Sequence, residues 1–291
     1  MELPGRLVPL RPLTVSDILD LVFQTLRRAG GPVAVIVLAV LLPELLLREL
    51  ATFRFTRTAT IDPTDIGAAF AGFGWVVVSA LVGLYVGLVI SAAIVALLAA
   101  RDRGATLGVW GGLRIGLARS GATVGASVLT MLGVTAASFV ALVIGIVFAV
   151  VIPFAGLLLM VPIVLFVPLV GFLMSYLLIA VAVEEGVGPW HTLTRTVTLL
   201  RRGFWRAVLI TLLLGLLTLA VGAGLFALGG LIAAGLGELG WVLQVLGGGL
   251  FSAISTPLFA AAGLILYRDL RVRGEAYDLR VRARALRGAP R

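Results

Sequence analysis

The chain has 291 residues, 60% of them hydrophobic and 13% charged, with a mean hydropathy of +1.15. That composition leaves too little polar surface for a soluble domain and points to an all-α polytopic membrane protein. The net charge is +9 and all 23 basic residues are Arg; they flank apolar runs and are not interleaved with aromatics on a wet surface, which argues against nucleic acid as a partner.

The absence of cysteine removes disulfides, thiolate nucleophiles and Cys-based metal sites. The first 29 residues are too polar for a signal peptide, so the first apolar segment is expected to remain as an anchor.

The stretch from Arg11 to Gly31 reads as an amphipathic helix. Thr14 is placed as an N-cap with Asp17 at capping-box spacing, and Leu13 and Ile18 occupy the positions of a hydrophobic staple. Val15, Ile18, Leu19, Val22 and Leu26 follow the 3.6-residue period, opposite Asp17, Asp20, Gln24, Arg27 and Arg28. Gly30 to Leu47 is the first apolar run and is expected to span the membrane, with Glu44 as a solvated residue near its outer end. Arg48 to Asp65 is a polar loop with a turn signal at Asp62-Pro63. In the uncharged segment that follows, the helix is expected over Trp75 to Ala100, with the Gly-rich start around Ala68 to Gly74 left to the interface or the loop.

A second copy of the amphipathic layout begins at Arg103. Aligning Thr106 with Thr14 brings Leu113 onto Leu21 and Arg119 onto Arg27. Gly108, Gly111, Gly112 and Gly116 weaken it, each by roughly 1 kcal/mol of helix propensity relative to Ala. Ser120 to Val183 is 64 residues without a charge. The Arg-rich segments on both sides belong in the cytoplasm by the positive-inside rule, so the number of crossings is even. Two are expected, turning near Pro153 to Gly156, with Pro162 and Pro168 kinking the second.

The third copy starts at Glu184-Glu185. Gly188 takes the place of Thr14, Pro189 the first helical position, and Arg201-Arg202 the place of Arg27-Arg28. Trp190, Leu193, Val197, Leu200 and Phe204 recur at helical spacing. Two further spans, Ala207 to Gly237 and Leu239 to Tyr267, bring the total to six.

The repeat is one interfacial helix plus one transmembrane hairpin, over about 11–100, 103–183 and 185–267, all in the same orientation. Of the 23 Arg, three lie in the Arg48 to Asp65 loop, and the other 20 lie before the first span, in the second and third copies, or after Tyr267. Both termini are therefore expected on the cytoplasmic side of a bacterial inner membrane. The tail, 268–291, carries 8 Arg against Asp269, Glu275 and Asp278, a net charge of +5 that suits anionic headgroups.

Site chemistry is sparse. Glu184-Glu185 resembles the Glu pair of some membrane proteases, but position 189, where those have Arg, is Pro, so the pair reads as a solvated loop ahead of a helix. His191 is the only histidine and has no metal-binding company. Ser127 lacks the flanking glycines of an intramembrane serine protease, and no phosphate-cradling loop ends in Lys-Ser or Lys-Thr. No ionisable residue falls near the middle of the last five spans, which removes the usual parts of a proton or ion pump. Gly83 to Gly87 and Gly121 to Gly125 are small-xxx-small pairs that suggest helix contacts. Gln244, Ser252, Ser255, Thr256 and Gly247 to Gly249 give the last span some polarity and flexibility.

RPLTVSDILDLVFQTLRR before the first span and YRDLRVRGEAYDL after the last resemble the membrane domain attached to some bacterial glycerophosphoryl diester phosphodiesterases and often found alone. The resemblance implies a six-helix module with cytoplasmic ends. It implies no phosphodiesterase reaction, because that belongs to a separate soluble barrel.

The expectation is thus a non-catalytic membrane protein without cofactor or metal. Its first reading is a scaffold or accessory subunit that meets anionic lipid or a cytoplasmic protein partner through Arg27, Arg28, Arg119, Arg201, Arg202, Arg268, Arg271 and Arg273. The second reading is a transporter or lipid-handling channel. An intramembrane enzyme ranks last, for want of a buried polar pair.

Overall fold

The computed structural model describes residues 12–48, 66–151, 153–236 and 240–275. Every element among them is helical, and six helices are long and apolar enough to cross a membrane. This is an all-α polytopic membrane protein.

Helix α1 starts at Val15. Thr14 caps it in extended conformation: the Asp17 amide donates to Thr14 Oγ1 at 3.1 Å and the Thr14 amide donates to Asp17 Oδ2 at 2.9 Å, the expected capping box. Leu13 and Ile18, the staple pair, are both buried. Ile18, Leu21, Val22, Thr25, Ala29, Val33 and Ile36 form the buried stripe at helical spacing.

The sequence separates an amphipathic helix over Arg11 to Gly31 from a span over Gly30 to Leu47. The helix instead continues through Pro32 and a π-helical turn at Val37–Leu41 to Arg48. Pro32 has no amide proton, which leaves the Arg28 carbonyl without its helical donor. Arg101 Nη1 supplies one at 2.5 Å, so the helix has no unsatisfied group forcing it to end.

Helix α2 covers Ile66–Asp102, so the Gly-rich start around Ala68 to Gly74 is helical rather than loop. It ends in a left-handed glycine, Gly104 (φ 75°), with the Gly104 amide on the Arg101 carbonyl and the Ala105 amide on the Ala100 carbonyl, both at 3.0 Å.

Helix α3 (Val109–Val151) again merges the amphipathic stretch with its span. Its glycines explain why a sequence of low helix propensity forms one. A Cβ on Gly116 would sit 2.6 Å from the Val89 carbonyl oxygen, and one on Gly112 would sit 3.2 Å from that of Ala93. Gly112-xxx-Gly116 is thus the close-contact pair against α2, whereas Gly87 and Gly121 have nothing within 4 Å.

A turn near Pro153 to Gly156 is not where the helices part: α3 ends at Val151 and α4 (Pro153–Glu185) begins with Pro153, a favoured first helical residue, with position 152 outside the described residues. Helix α4 runs without interruption through Pro162 and Pro168 and ends at Gly186, also left-handed (φ 66°).

The third amphipathic stretch is the one that stands as a separate helix, α5 (Pro189–Arg201), with Gly188 as N-cap and Pro189 in the first turn. Its inward side is Thr192, Thr196, Leu199 and Leu200. Trp190 of α5 is exposed, as are Trp110 and Trp205, in keeping with aromatics at a membrane boundary. Helices α6 (Phe204–Leu236) and α7 (Gly240–Glu275) complete the chain, and α7 carries the helix eight residues past Tyr267, where the basic tail was expected to begin.

Helices α2, α4 and α7 all touch one another and form an inner triangle. Around it, α1 lies against α7 and α2, α3 against α2 and α4, and α6 against α7 and α4. The outer helices approach α1 from both sides, but among the described residues no Cα of α3 comes within 8 Å of α6. The ring has one open seam.

Candidate functional site

Two features stand out around the inner triangle. The first is an ionic layer at its arginine-rich end, where each inner helix contributes charge. Arg268 of α7 pairs with Asp102 of α2 and reaches Glu184 of α4 at 3.1 Å. Glu184 also lies 3.5 Å from Arg103.

Beside this triad, Glu185 accepts from Arg195 Nε at 2.9 Å and from the Tyr267 hydroxyl at 2.9 Å. Arg195 Nη2 is 2.5 Å from Glu275, which pairs with Arg271 one helical turn back. Burial works against the charge on Arg195, but Glu185 and Glu275 outweigh it and raise the guanidinium pKa above its ordinary value.

A third cluster centres on Asp269, which is 1% exposed. It accepts from the Leu13 amide at 2.9 Å and pairs with Arg206 and Arg273 at 3.1 Å each, while both guanidinium groups also donate to the Leu13 carbonyl.

Every member of these clusters has a charge or hydrogen-bond partner, so the layer holds α1, α2, α4, α5, α6 and α7 in register.

The second feature is a cavity of about 860 Å³ in the membrane-spanning part, bounded by all three inner helices and by α3 and α6, at the open seam. Its wall is mostly apolar, with Phe172, Phe251 and Phe259 among the larger side chains. Gly83, Gly87, Gly171 and Gly215 line it, and nothing lies within 4 Å of the position a Cβ would take on Gly87 or Gly215. Gly87 and Gly215 therefore keep space open, whereas Gly83 and Gly171 face side chains of α1 and α3.

Half of the eight hydroxyls in the wall are satisfied within the protein. Thr130, Ser175 and Thr218 donate to carbonyls of their own helices, and the Tyr176 hydroxyl lies 2.6 Å from Thr211 Oγ1. Among the described residues, two buried side-chain oxygens have no hydrogen bond: Ser127 Oγ, on the cavity wall, and Glu44 Oε1, which lies 3.9 Å from Arg48 Nη1. Its size, and an apolar wall with a few polar points, are those of a small-molecule pocket.

The candidate surface arginines divide into two groups. Arg27, Arg28 and Arg201 are exposed and have no partner among the described residues. Arg119 donates to the Gly186 carbonyl at 2.9 Å, Arg202 to the Gly274 carbonyl, and Arg268, Arg271 and Arg273 are built into the ionic layer. The basic residues at 280–291 lie outside the described residues.

Sequence reasoning missed Glu184 and Glu185 as network members, because their partners are 81 or more residues away for Arg103, Arg268 and Tyr267. It also took both Gly83 and Gly87 as helix contacts; Gly83 does lie against Arg48 of α1, but nothing lies within 4 Å of a Cβ on Gly87. The available signal was that a pair of glycines on an uncharged span fits a cavity wall as well as an interface.

No protein family, curated protein or solved structure is matched by this chain.

Proposed function

We propose that this protein is a lipid-handling membrane protein that admits a bilayer phospholipid through the seam between α3 and α6. The observation that carries the reading is the 860 Å³ cavity, bounded by three inner helices and kept open by Gly87 and Gly215. An apolar cavity at a gap between spans is in contact with acyl chains, so a lipid tail is its natural occupant. The exposed apolar side chains of α3 and α6, among them Met131, Leu132, Leu216 and Leu219, are consistent with both helices facing lipid.

The same reading places the ionic layer in the cytoplasm, where the Arg-rich segments belong, and treats the chain as three copies of one hairpin unit in a bacterial inner membrane. The resemblance to the membrane domain of glycerophosphoryl diester phosphodiesterases belongs to this proposal as an architecture, with no hydrolytic step attached. The test is reconstitution into vesicles containing fluorescent phospholipid, followed by dithionite quenching from outside. Quenching beyond the outer leaflet, reduced by Gly87→Leu, is the expected result; no quenching beyond the outer leaflet would count against lipid movement.

A second reading, a scaffold for a cytoplasmic partner or anionic lipid, is favoured by the exposed guanidinium groups of Arg27, Arg28, Arg114 and Arg201. It is weakened by the engagement of Arg268, Arg271 and Arg273 within the protein. Loss of binding to anionic vesicles or of a co-purifying protein on replacing Arg27, Arg28 and Arg201 with Gln would support it.

A further inference from the structure

We infer that Ser91, Ser255 and Thr256 form a polar step on the cavity wall that carries a phospholipid head across the middle of the membrane, and that the heads it passes are those without net charge. The inference rests on the lipid reading above and adds the route and the class of lipid.

The hydroxyls of the wall are of two kinds. In an apolar stretch a serine or threonine ordinarily turns its hydroxyl back to a carbonyl of its own helix, as Thr130, Ser175 and Thr218 do. Ser91 of α2 and Ser255 and Thr256 of α7 line the same cavity, are half-buried, and make no side-chain hydrogen bond among the described residues. Their oxygens are not sealed within the protein, unlike Ser127 Oγ. Three hydroxyls are thus left for whatever occupies the cavity.

Their depth says what that occupant brings. Asp102 and Arg268, paired in the ionic layer, give α2 and α7 a common origin. Ser91 is 11 residues before Asp102, about 16 Å along the helix, and Ser255 and Thr256 are 13 and 12 residues before Arg268, about 20 and 18 Å. With the ionic layer at one face of a hydrocarbon core about 30 Å thick, all three hydroxyls lie near its middle. A lipid at rest in either leaflet has only acyl chain at that depth, and an acyl chain offers no hydrogen-bonding atom. Phosphate and ester oxygens reach these hydroxyls when the lipid passes from one leaflet to the other, and accept from them there.

The wall also restricts the head. None of the described residues that line the cavity is Asp, Glu, Arg or His. A head with net charge therefore meets no counter-ion at the middle of the membrane, where an unpaired charge is costly. Phosphatidylethanolamine and phosphatidylcholine carry their own counter-charge; phosphatidylglycerol does not.

The experiment is dithionite quenching with the full-length protein in phosphatidylcholine vesicles that hold tail-labelled fluorescent phosphatidylethanolamine, phosphatidylcholine or phosphatidylglycerol. It reads the rate at which inner-leaflet label becomes accessible. The wild type should move the ethanolamine and choline lipids at similar rates and the glycerol lipid more slowly, by roughly ten-fold or more. Ser91→Ala, Ser255→Ala and Thr256→Val together should slow the first two by roughly ten-fold or more, the scale of three lost hydrogen bonds. Native mass spectrometry of that variant should still find lipid bound. Ser91→Thr, Ser255→Thr and Thr256→Ser, which together keep every hydroxyl, should leave the wild-type rate in place.

Wild-type transfer by the hydroxyl-free variant, or equal rates for the three lipids in the wild type, would overturn the inference. So would a hydroxyl-keeping variant as slow as the hydroxyl-free one, or loss of bound lipid from the hydroxyl-free one, since either assigns the effect to packing or resting-state binding. If Gly87→Leu still abolishes transfer in those cases, the cavity remains the lipid site. No transfer by the wild type, or none lost on Gly87→Leu, removes the lipid reading itself.

Discussion

The Leu13 amide donates to Asp269 Oδ1 at 2.9 Å, joining positions 256 residues apart at the point where α1 meets α7. The Leu13 carbonyl is held at the same time by Arg206 and Arg273, the two guanidinium groups paired with Asp269. The peptide ahead of the Thr14 cap is therefore fixed through both of its polar groups. Asp269→Ala leaves one buried amide and two guanidinium groups without their carboxylate, at an expected cost of about 3–5 kcal/mol. Asp269→Asn keeps an acceptor and should cost less. Thermal unfolding in detergent, compared for the two variants, checks the order.

Arg268 connects Asp102 and Glu184 between three inner helices and is itself buried. Arg268→Met removes the cation that Asp102 and Glu184 share, leaving Glu184 with the more distant, exposed Arg103, so it should destabilise by about 3–5 kcal/mol. Adding Asp102→Asn and Glu184→Gln to Arg268→Met removes the uncompensated charge. The triple variant should be more stable than the single one, a reversal that denaturant titration would detect. A triple variant weaker than Arg268→Met would mean that the acids have further partners worth more than their repulsion.

Arg101 and Pro32 are coupled through the Arg28 carbonyl. Arg101→Gln should cost about 1.5–3 kcal/mol in the wild-type background, the worth of a hydrogen bond from a charged donor. In a Pro32→Ala background the helix supplies its own amide to that carbonyl. The cost should then fall, and a double-mutant cycle measures the difference.

Glycines that look alike in the sequence should respond oppositely to alanine. Gly116→Ala puts a Cβ 2.6 Å from a backbone oxygen of α2 and should force the helices apart, lowering the melting temperature. Gly121→Ala meets nothing within 4 Å and should be neutral or stabilising, by up to about 1 kcal/mol of helix propensity.

Much of this architecture is written locally. Thr14 with Asp17, and Pro189 after Gly188, announce helix starts through cap chemistry that needs only neighbouring residues, and the uncharged runs announce spans by length. The merging of the first two amphipathic stretches with their spans is not local. At Pro32 it depends on Arg101 arriving from α2, and at Gly112 and Gly116 on the backbone of α2 lying close. The ionic layer is hidden for the same reason, since Glu185 meets Tyr267 only after the inner helices assemble. A cavity is harder still to read, because it consists of contacts not made: nothing around Gly87 or Gly215 in the sequence separates an empty space from a helix interface.

The central claim, that the seam between α3 and α6 holds a phospholipid, is tested most directly by an electron cryo-microscopy map of the protein in phospholipid nanodiscs. The account predicts acyl-chain density beside Gly87 and Gly215. Helices α3 and α6 packed together, with the space between them filled by their own side chains, would contradict it.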